Sequence, residues 1–168
     1  MAAPAGATAR DGKGFAARQI SLPQVAALYK KQTVKPRSPH RRRSRLVVLI
    51  ADDDADARDI YGRYLTVMGC RVFTARDGLS AVAAARRSRP DVVVMDLAMP
   101  RLNGWDAIVR LKRAPATRAI PIVALSAVPT SRGHARDAGC DGFLAKPCLP
   151  EMLWCEIRLL LGSTRVGA

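Results

Sequence analysis

The sequence predicts an α/β protein built around a five-stranded parallel sheet. Five short apolar runs, several of them rich in Val and Ile, alternate along the chain with segments that show helical periodicity. Short runs of this composition are typical of strands that are buried on both faces. Because strand and helix alternate strictly, we expect a doubly wound fold with helices on both faces of the sheet.

The first helix and the strands around it are indicated by apolar spacing and by a closing glycine. Gly69 is expected to end this helix, because glycine tolerates the left-handed conformation that closes many helices. The second strand is the most polar of the five, so we place it at an edge of the sheet. The apolar face of the helix is predicted to carry Ile60, Tyr64, Val67 and Met68. The predicted bounds are 45–51, 55–68 and 70–75 for strand, helix and strand.

The remaining elements continue the alternation. The helix that begins near Gly104 is expected to bury Trp105, Ile108 and Leu111. The fourth helix is the weakest, since it contains Gly133 and few apolar residues. The apolar residues of the last helix are Met152, Leu153, Ile157, Leu160 and Leu161. The predicted strands are 91–95, 120–125 and 141–145, and the predicted helices are 78–88, 104–113, 130–138 and 150–161.

The charge of the chain is unevenly distributed. Residues 1–45 carry eleven Lys and Arg against the single acid Asp11, so they hold +10 of the net charge of +14. Their richness in Ala, Gly, Pro, Arg and Ser predicts a disordered basic arm over 1–44, followed by a folded domain over 45–162 and a short tail over 163–168. Within the arm, Ser21 could cap a short helix with Val25, Leu28 and Tyr29 on one face.

A basic arm of this kind suggests an acidic partner. Nucleic acid, a membrane surface and an acidic protein all fit, as does a solvated tail without a specific partner. Only Phe15 and Tyr29 could stack on bases, which disfavours a specific reader of single strands. Loss of DNA retention on deleting residues 1–45 would identify the arm as a nucleic-acid binder.

Targeting signals and metal-binding cysteine motifs are lacking in the sequence. The start, 1–18, has no apolar segment of the kind found in secretory signals, and no stretch is long and apolar enough to span a bilayer, so we expect a cytoplasmic protein. A zinc site is disfavoured because the cysteines show no C-x-x-C spacing and only two histidines are present. Reduced, buried thiols are expected for Cys70, Cys140, Cys148 and Cys155.

Polar residues follow four of the predicted strands. Asp52, Asp53 and Asp54 follow the first, Asp96 the third, Ser126 the fourth and Lys146 the fifth. The carboxyl ends of parallel strands meet at one edge of a sheet, where ligand sites form. Carboxylates suit a hard cation such as Mg²⁺, and a carboxylate can also accept a phosphoryl group. The sequence therefore predicts a cation and phosphoryl site at this edge, with Asp54 free to cap the first helix.

The motifs at these strand ends resemble those of the receiver domain of two-component response regulators, the CheY-like family. The resemblance covers about 45–162, and it implies a flavodoxin-like (βα)₅ sheet of strand order 2-1-3-4-5. The segments that carry it are 48–54, 94–100, 103–105, 120–127 and 142–147, which read VLIADDD, VMDLAMP, NGW, IPIVALSA and GFLAKP.

The resemblance implies a role for each matching residue. Asp96 would be the phosphoacceptor, and Ser126 and Lys146 would contact its phosphoryl group. Phe143 would be the switch aromatic, and the bond before Pro147 is often cis in the family. The Mg²⁺ ligands would be Asp52, Asp53, Asp96 and the backbone carbonyl of Ala98.

The implied function is that of a single-domain response regulator rather than an enzyme. Such a protein takes a phosphoryl group from a sensor histidine kinase or a phosphotransfer protein. It then signals by docking to a downstream protein through its fourth helix, fifth strand and last helix. Because 22 residues follow Lys146, we expect no output domain after it.

Two other functions stay open at this point. One is an aspartyl-phosphate phosphohydrolase with a D-x-D pair at Asp52 and Asp54 or at Asp54 and Asp56, although the expected Gly and Thr do not follow. The other is a receiver that is never phosphorylated and binds nucleic acid through its arm. An EF-hand is excluded because Ala57 and Arg63 occupy the loop positions that need Gly and Glu.

Overall fold

The computed structural model of the chain describes residues 45–128 and 132–163. Within these ranges five strands alternate with five helices, as predicted. The predicted arm, its short helix, and residues 164–168 lie outside the described residues. The strands are β1 Val47–Ala51, β2 Arg71–Ala75, β3 Val92–Asp96, β4 Ile122–Ser126 and β5 Gly142–Ala145. The helices are α1 Ala55–Val67, α2 Gly78–Ser88, α3 Gly104–Arg113, α4 Arg132–Asp137 and α5 Pro150–Ser163.

All five strands pair in parallel, in the order β2-β1-β3-β4-β5. The register places Val48 beside Val92 and Val93 beside Ile122, so the central strands lie level with one another. The predicted fold and strand order are confirmed, and so is the edge position of β2. This order brings the carboxyl ends of β1, β3 and β4 side by side, with β5 next to β4.

Helices cover both faces of the sheet. On one face α2, α3 and α4 contribute Ala81, Ile108 and Ala135 to a buried cluster. On the other face α1 and α5 contribute Leu65 and Ile157 to a second cluster. Strands β3 and β4 are buried along their whole length, which explains why their sequences are continuously apolar rather than alternating.

The predicted apolar face of α1 is wrong for Ile60, Val67 and Met68, although the predicted Tyr64 packs against the core. The buried residues are Tyr61 and Leu65, whereas Ile60 is 56% exposed and Val67 is 80% exposed. The Tyr61 hydroxyl donates a hydrogen bond of 2.9 Å to the Cys148 carbonyl, in the loop after β5. Since a buried tyrosine needs such a partner, this contact favours the observed rotation over one that buries Ile60.

The predicted apolar residues of α3 and α5 pack in the two clusters; in α5, Leu153 and Ile157 are buried, whereas Met152, Leu160 and Leu161 are partly buried. Ile108 and Leu111 of α3 are fully buried, and Trp105 packs against the same cluster. Helix α4 spans Arg132–Asp137 where 130–138 was predicted, and the predicted residues 130 and 131 lie outside the described part. Helix α1 ends where expected, because Gly69 has a φ of +88°.

Candidate functional site

The carboxyl ends of β1, β3 and β5 bring three charged side chains into contact. The Lys146 Nζ donates hydrogen bonds of 2.8 Å to Asp52 Oδ2 and 2.8 Å to Asp96 Oδ2. The Asp52 side chain is completely buried and the Asp96 side chain is 5% exposed, whereas that of Lys146 is 24% exposed. One partly accessible ammonium group therefore bridges two buried carboxylates that belong to different strands.

Asp53 joins these two carboxylates to form a cluster. Asp52, Asp53 and Asp96 each offer an oxygen atom within 4.8 Å of the others, and Asp53 is the exposed member. Burial raises the pKa of Asp52 by more than the hydrogen bond from Lys146 lowers it, and the nearby charge of Asp96 raises it further. Three crowded oxygen donors with unfavourable self-repulsion suit a hard divalent cation, so these residues fit Mg²⁺.

Lys146 keeps its proton in this environment. Burial alone would lower the pKa of its ammonium group, but the hydrogen bonds to Asp52 and Asp96 outweigh burial and raise the pKa. The site therefore holds a fixed positive charge beside the carboxylate of Asp96.

The loop after β1 is held by two further residues. Asp54 caps α1 by accepting a hydrogen bond of 2.9 Å from the Asp56 N–H, which confirms the role expected for it. Its own N–H donates to Asp52 Oδ1 over 3.0 Å, so the cap is also tied to the cluster. The cap separates Asp54 from the other aspartates and directs it towards the helix.

Arg58 is a site-supporting residue that the sequence reasoning missed. Its Nη1 donates to the backbone carbonyls of Asp52, over 2.8 Å, and of Asp53, over 2.9 Å. Helical side chains lean towards the N-terminus of their helix, so an arginine one turn into α1 can reach back over the loop. The position of Arg58 one turn after the capping Asp54 was the available signal.

Ser126 lies at the end of β4, but its hydroxyl does not contact the acidic cluster. The hydroxyl oxygen accepts the Val128 N–H over 3.0 Å and donates to the Val128 carbonyl over 3.3 Å. The Ser126 carbonyl accepts the Lys146 N–H over 2.8 Å. The backbone thus joins Ser126 to Lys146, while the side chain bonds within its own loop.

The remaining predicted residues lie close to these strand ends. Phe143 is 5% exposed and packs in the cluster beneath α2, α3 and α4. The Ala98 N–H donates to Asp96 Oδ1 over 3.1 Å, which fixes the second oxygen of that carboxylate. The peptide bond between Lys146 and Pro147 is cis, as the resemblance implied.

The loop that follows Asp96 is anchored to the start of α2. Arg101, which has a φ of +66°, forms an ion pair of 2.7 Å with the buried Asp77. Asp77 also caps α2 by accepting the Ser80 N–H over 2.8 Å. The hydrogen bond from Ser80, together with the charge of Arg101, lowers the pKa of Asp77 despite its burial. Sequence reasoning missed this pair, since no local motif links the two residues.

Comparison with known proteins identifies the family. The family of the response regulator receiver domain matches residues 48–158, which is well over half of the chain. The chain belongs to the response regulator receiver family. Receiver domains are signalling modules of two-component systems, and they bind Mg²⁺ in an acidic pocket such as the one formed here by Asp52, Asp53 and Asp96.

Two relatives in sequence show how far the likeness reaches. The response regulator MprA of Mycobacterium leprae is 37% identical over 120 residues, which are 70% of this chain and 52% of that protein. The DNA-binding dual master transcriptional regulator RpaA of Synechocystis is 33% identical over 119 residues, which are 70% of this chain and 49% of that protein. The chain therefore spans about half the length of these relatives.

Solved structures show the same fold. The chemotaxis response regulator CheY4 of Vibrio cholerae is 28% identical, has a TM-score of 0.66, and is matched over 70% of this chain and 99% of its own. The receiver domain of a sensor histidine kinase from Pseudomonas aeruginosa is 29% identical, has a TM-score of 0.65, and is matched over 71% of this chain and 99% of its own. That structure has a magnesium ion in its active-site cleft. Among the described helices of the present receiver, none is long and apolar enough to cross a bilayer.

Proposed function

We propose that this receiver accepts a phosphoryl group on Asp96 from a sensor histidine kinase or a histidine phosphotransfer protein. In the transfer, a carboxylate oxygen of Asp96 forms a bond to phosphorus while the bond from phosphorus to the donor's imidazole nitrogen breaks. The freed imidazole then takes up a proton. The observation that carries the proposal is the double hydrogen bond from Lys146 to Asp52 and Asp96, at 2.8 Å each.

The surrounding residues have separate roles in this proposal. Asp52, Asp53, Asp96 and the Ala98 carbonyl hold Mg²⁺, which when bound neutralises charge on the phosphoryl oxygens. Lys146 is already positioned beside Asp96 and neutralises a further oxygen. Arg58 keeps the acidic loop in place through the carbonyls of Asp52 and Asp53.

Signalling is proposed to follow from a local rearrangement. The Ser126 hydroxyl leaves Val128 and donates to the new phosphoryl group, and Phe143 repacks on the neighbouring strand. Both changes alter the surface formed by α4, β5 and α5, to which a downstream protein docks. A pre-existing equilibrium between two conformations is enough for this, provided that the phosphoryl group binds one of them better.

The geometry disfavours a phosphohydrolase with a D-x-D pair. Asp54 caps α1, and Asp56 is exposed outside the acidic cluster, so neither possible pair points both carboxylates into the site. The complete set of Asp52, Asp53, Asp96 and Lys146 likewise supports a receiver that is phosphorylated over one that is not.

We extend the proposal to the organisation of the chain. The receiver occupies 45–162, the basic arm 1–44 and the short tail 163–168. The arm's partner is proposed to be an acidic polymer, since the arm holds most of the net charge of +14.

Phosphorylation by a small donor tests the proposal. The full chain is incubated with acetyl phosphate and Mg²⁺, and intact mass is measured. We expect one added phosphoryl group in the parent chain and none in Asp96→Asn. The matched control is Asp54→Asn, which removes a neighbouring carboxylate but keeps a capping side chain; it should be phosphorylated normally. Phosphorylation of Asp96→Asn at the parent's rate would contradict the proposal.

A further inference from the structure

The amino ends of the strands lie at the edge of the sheet opposite the acidic cluster, and four arginines follow this edge. Taken in sheet order they are Arg71 at the start of β2, Arg45 just before β1, Arg89 just before β3 and Arg118 before β4, and all four are exposed. The backbones at this edge are in contact, since the Arg71 N–H donates to the Leu46 carbonyl over 2.8 Å. Neighbouring strands are about 4.8 Å apart, so these residues form a row.

Two helices add further arginines at the same edge. Helices in this fold run back against the strands, so α2 and α3, which pack side by side, both end here. Arg86 and Arg87 lie in the last turn of α2, and Arg110 and Arg113 in the last turn of α3. All four are exposed. We call the combined surface the basic edge: Arg45, Arg71, Arg86, Arg87, Arg89, Arg110, Arg113 and Arg118.

The charge of the basic edge is not balanced within the described residues. None of its eight arginines forms an ion pair with a described carboxylate. Acids also lie near this edge: Asp137 ends α4 and is in no ion pair with a described residue, whereas Asp91 and Asp141 are engaged. Asp91 accepts the Val47 N–H over 2.7 Å, and Asp141 pairs with Lys112 over 2.7 Å.

Helix dipoles explain only part of this arrangement. Basic residues are favoured in the last turn of a helix, which covers Arg86, Arg87, Arg110 and Arg113. Arg45, Arg71 and Arg118 lie in no helix, so the dipoles do not account for them. The segment 1–44, which contains ten Lys and Arg, is continuous in sequence with Arg45.

We propose that the basic edge binds the phosphate backbone of double-stranded DNA without sequence preference. Guanidinium groups bind phosphates through paired hydrogen bonds, and a row of unpaired charges suits a linear polyanion. The Phe73 ring of β2 is covered by the Arg71 guanidinium at 5.0 Å, so it is not free to stack on bases. Because the acidic cluster lies at the opposite edge, DNA bound here leaves Asp96 accessible.

The test compares two pairs of substitutions that remove the same charge. Binding of the full chain to a fluorescein-labelled duplex of mixed sequence is measured by fluorescence anisotropy between about 50 and 200 mM NaCl. One variant is Arg86→Gln with Arg87→Gln, in the basic edge. The control is Arg63→Gln with Arg76→Gln; both control arginines are exposed and lie outside the basic edge, and Arg63 is paired with Asp59. Both variants keep the arm, and their net charges are equal because each has lost two arginines.

We expect the Arg86 and Arg87 variant to bind about tenfold more weakly than the parent, with a salt slope about two units shallower. The control should stay within about twofold of the parent, because it removes no phosphate contact. Equal weakening in both variants would overturn the proposal, since net charge would then explain the binding. Parent-like binding by both would also overturn it, and would assign binding to the arm.

A membrane surface is distinguished by a second probe. Vesicles of phosphatidylcholine with phosphatidylserine are sedimented with the same proteins. Sedimentation that depends on Arg86 and Arg87, without binding to the duplex, would overturn the DNA assignment in favour of anionic lipid. The Asp96→Asn variant should bind DNA as the parent does, so failure of the phosphorylation proposal would leave this one standing.

Discussion

The carboxyl ends and the amino ends of the strands form two opposite edges of the sheet, which we call the carboxyl edge and the amino edge. Charged side chains of opposite sign define the two edges, and they are held in different ways. At the carboxyl edge, Asp52 and Asp96 are buried and bonded to Lys146 at 2.8 Å, and Arg58 secures the loop beside them. At the amino edge, the arginines of the basic edge are exposed and have no carboxylate partner among the described residues.

This difference separates two kinds of function. A group that reacts must be held at a defined position, so the carboxyl edge uses side chains that are fixed by burial and by bonds between strands. A surface that contacts a polyanion needs charge density more than fixed geometry, and exposed arginines provide it. The carboxyl edge should therefore be far more sensitive to substitution than the amino edge.

The largest expected effect is that of Gly104→Ala. A Cβ at Gly104 would overlap the backbone oxygen of Asp96 and lie 2.7 Å from the Leu97 Cα, and both contacts are with backbone that cannot turn away. We expect a loss of about 3 kcal/mol in the free energy of unfolding, measured by urea denaturation, together with slower phosphorylation.

Gly162→Ala is the matched control for this substitution. A Cβ at Gly162 meets no atom within 4 Å, so alanine in α5 should leave stability unchanged or raise it by up to about 1 kcal/mol. Parent-like stability of Gly104→Ala would show that the start of α3 moves easily, against the rigid carboxyl edge described above.

The second largest effect concerns the ammonium group of Lys146 at the carboxyl edge. Lys146→Met leaves Asp52 and Asp96 without their ammonium partner, and we expect a loss of about 2 kcal/mol in the free energy of unfolding, because the bridge is only partly exposed. Added Mg²⁺ should stabilise this variant more than the parent, since the carboxylates then lack any other counter-charge.

An arginine of the basic edge provides the comparison for Lys146. Arg86→Gln should change the free energy of unfolding by no more than about 0.5 kcal/mol, since Arg86 is exposed and forms no ion pair with a described residue. If Lys146→Met and Arg86→Gln proved equally mild, the bridge at the carboxyl edge would contribute no more than a surface charge.

The fold and the main site residues could be predicted because both follow from strand geometry. Asp52 and Asp96 lie at the ends of the adjacent parallel strands β1 and β3, and the long side chain of Lys146 reaches them from β5, on the far side of β4. The rotation of α1 was not predictable in this way, because Ile60 with Val67 and Tyr61 with Leu65 form two overlapping apolar stripes on one helix. The contact from Tyr61 to the Cys148 carbonyl favours one of them, and Cys148 lies far along the sequence.

Arg58 and Ser126 illustrate a different limit. Arg58 acts through backbone carbonyls, which every residue has, so no pattern of side chains reveals its target. The Ser126 hydroxyl could bond either to a phosphoryl group or within its own loop, and its position at a strand end does not distinguish these. The sequence placed Ser126 near the site but left its partner open, and it did not indicate Arg58 at all.

The smallest expected effect is a pH-dependent change in stability at Asp77. Like Asp52 and Asp96, Asp77 is a buried acid at the carboxyl edge that pairs with a basic side chain, here Arg101. Its pKa is lowered below the usual value of 3.8 by the Ser80 N–H and, further, by Arg101. A lowered pKa means that the folded state binds the proton less readily than the unfolded state. The stabilisation is therefore complete above pH 3.8 and is lost as pH falls through the lowered pKa.

Asp77→Asn isolates this contribution, because asparagine still caps α2 but carries no charge. Urea denaturation of parent and variant is compared at neutral pH and at several values below 3.8. We expect the parent to be the more stable protein at neutral pH and the difference to shrink steadily through the acidic range. A difference that is the same at every pH would mean that Asp77 stabilises the loop through its cap alone. Only the buried acids around Lys146 would then be stabilised by pairing with a basic side chain. Arg101, despite its 2.7 Å contact with Asp77, would contribute no more to stability than the unpaired arginines of the basic edge.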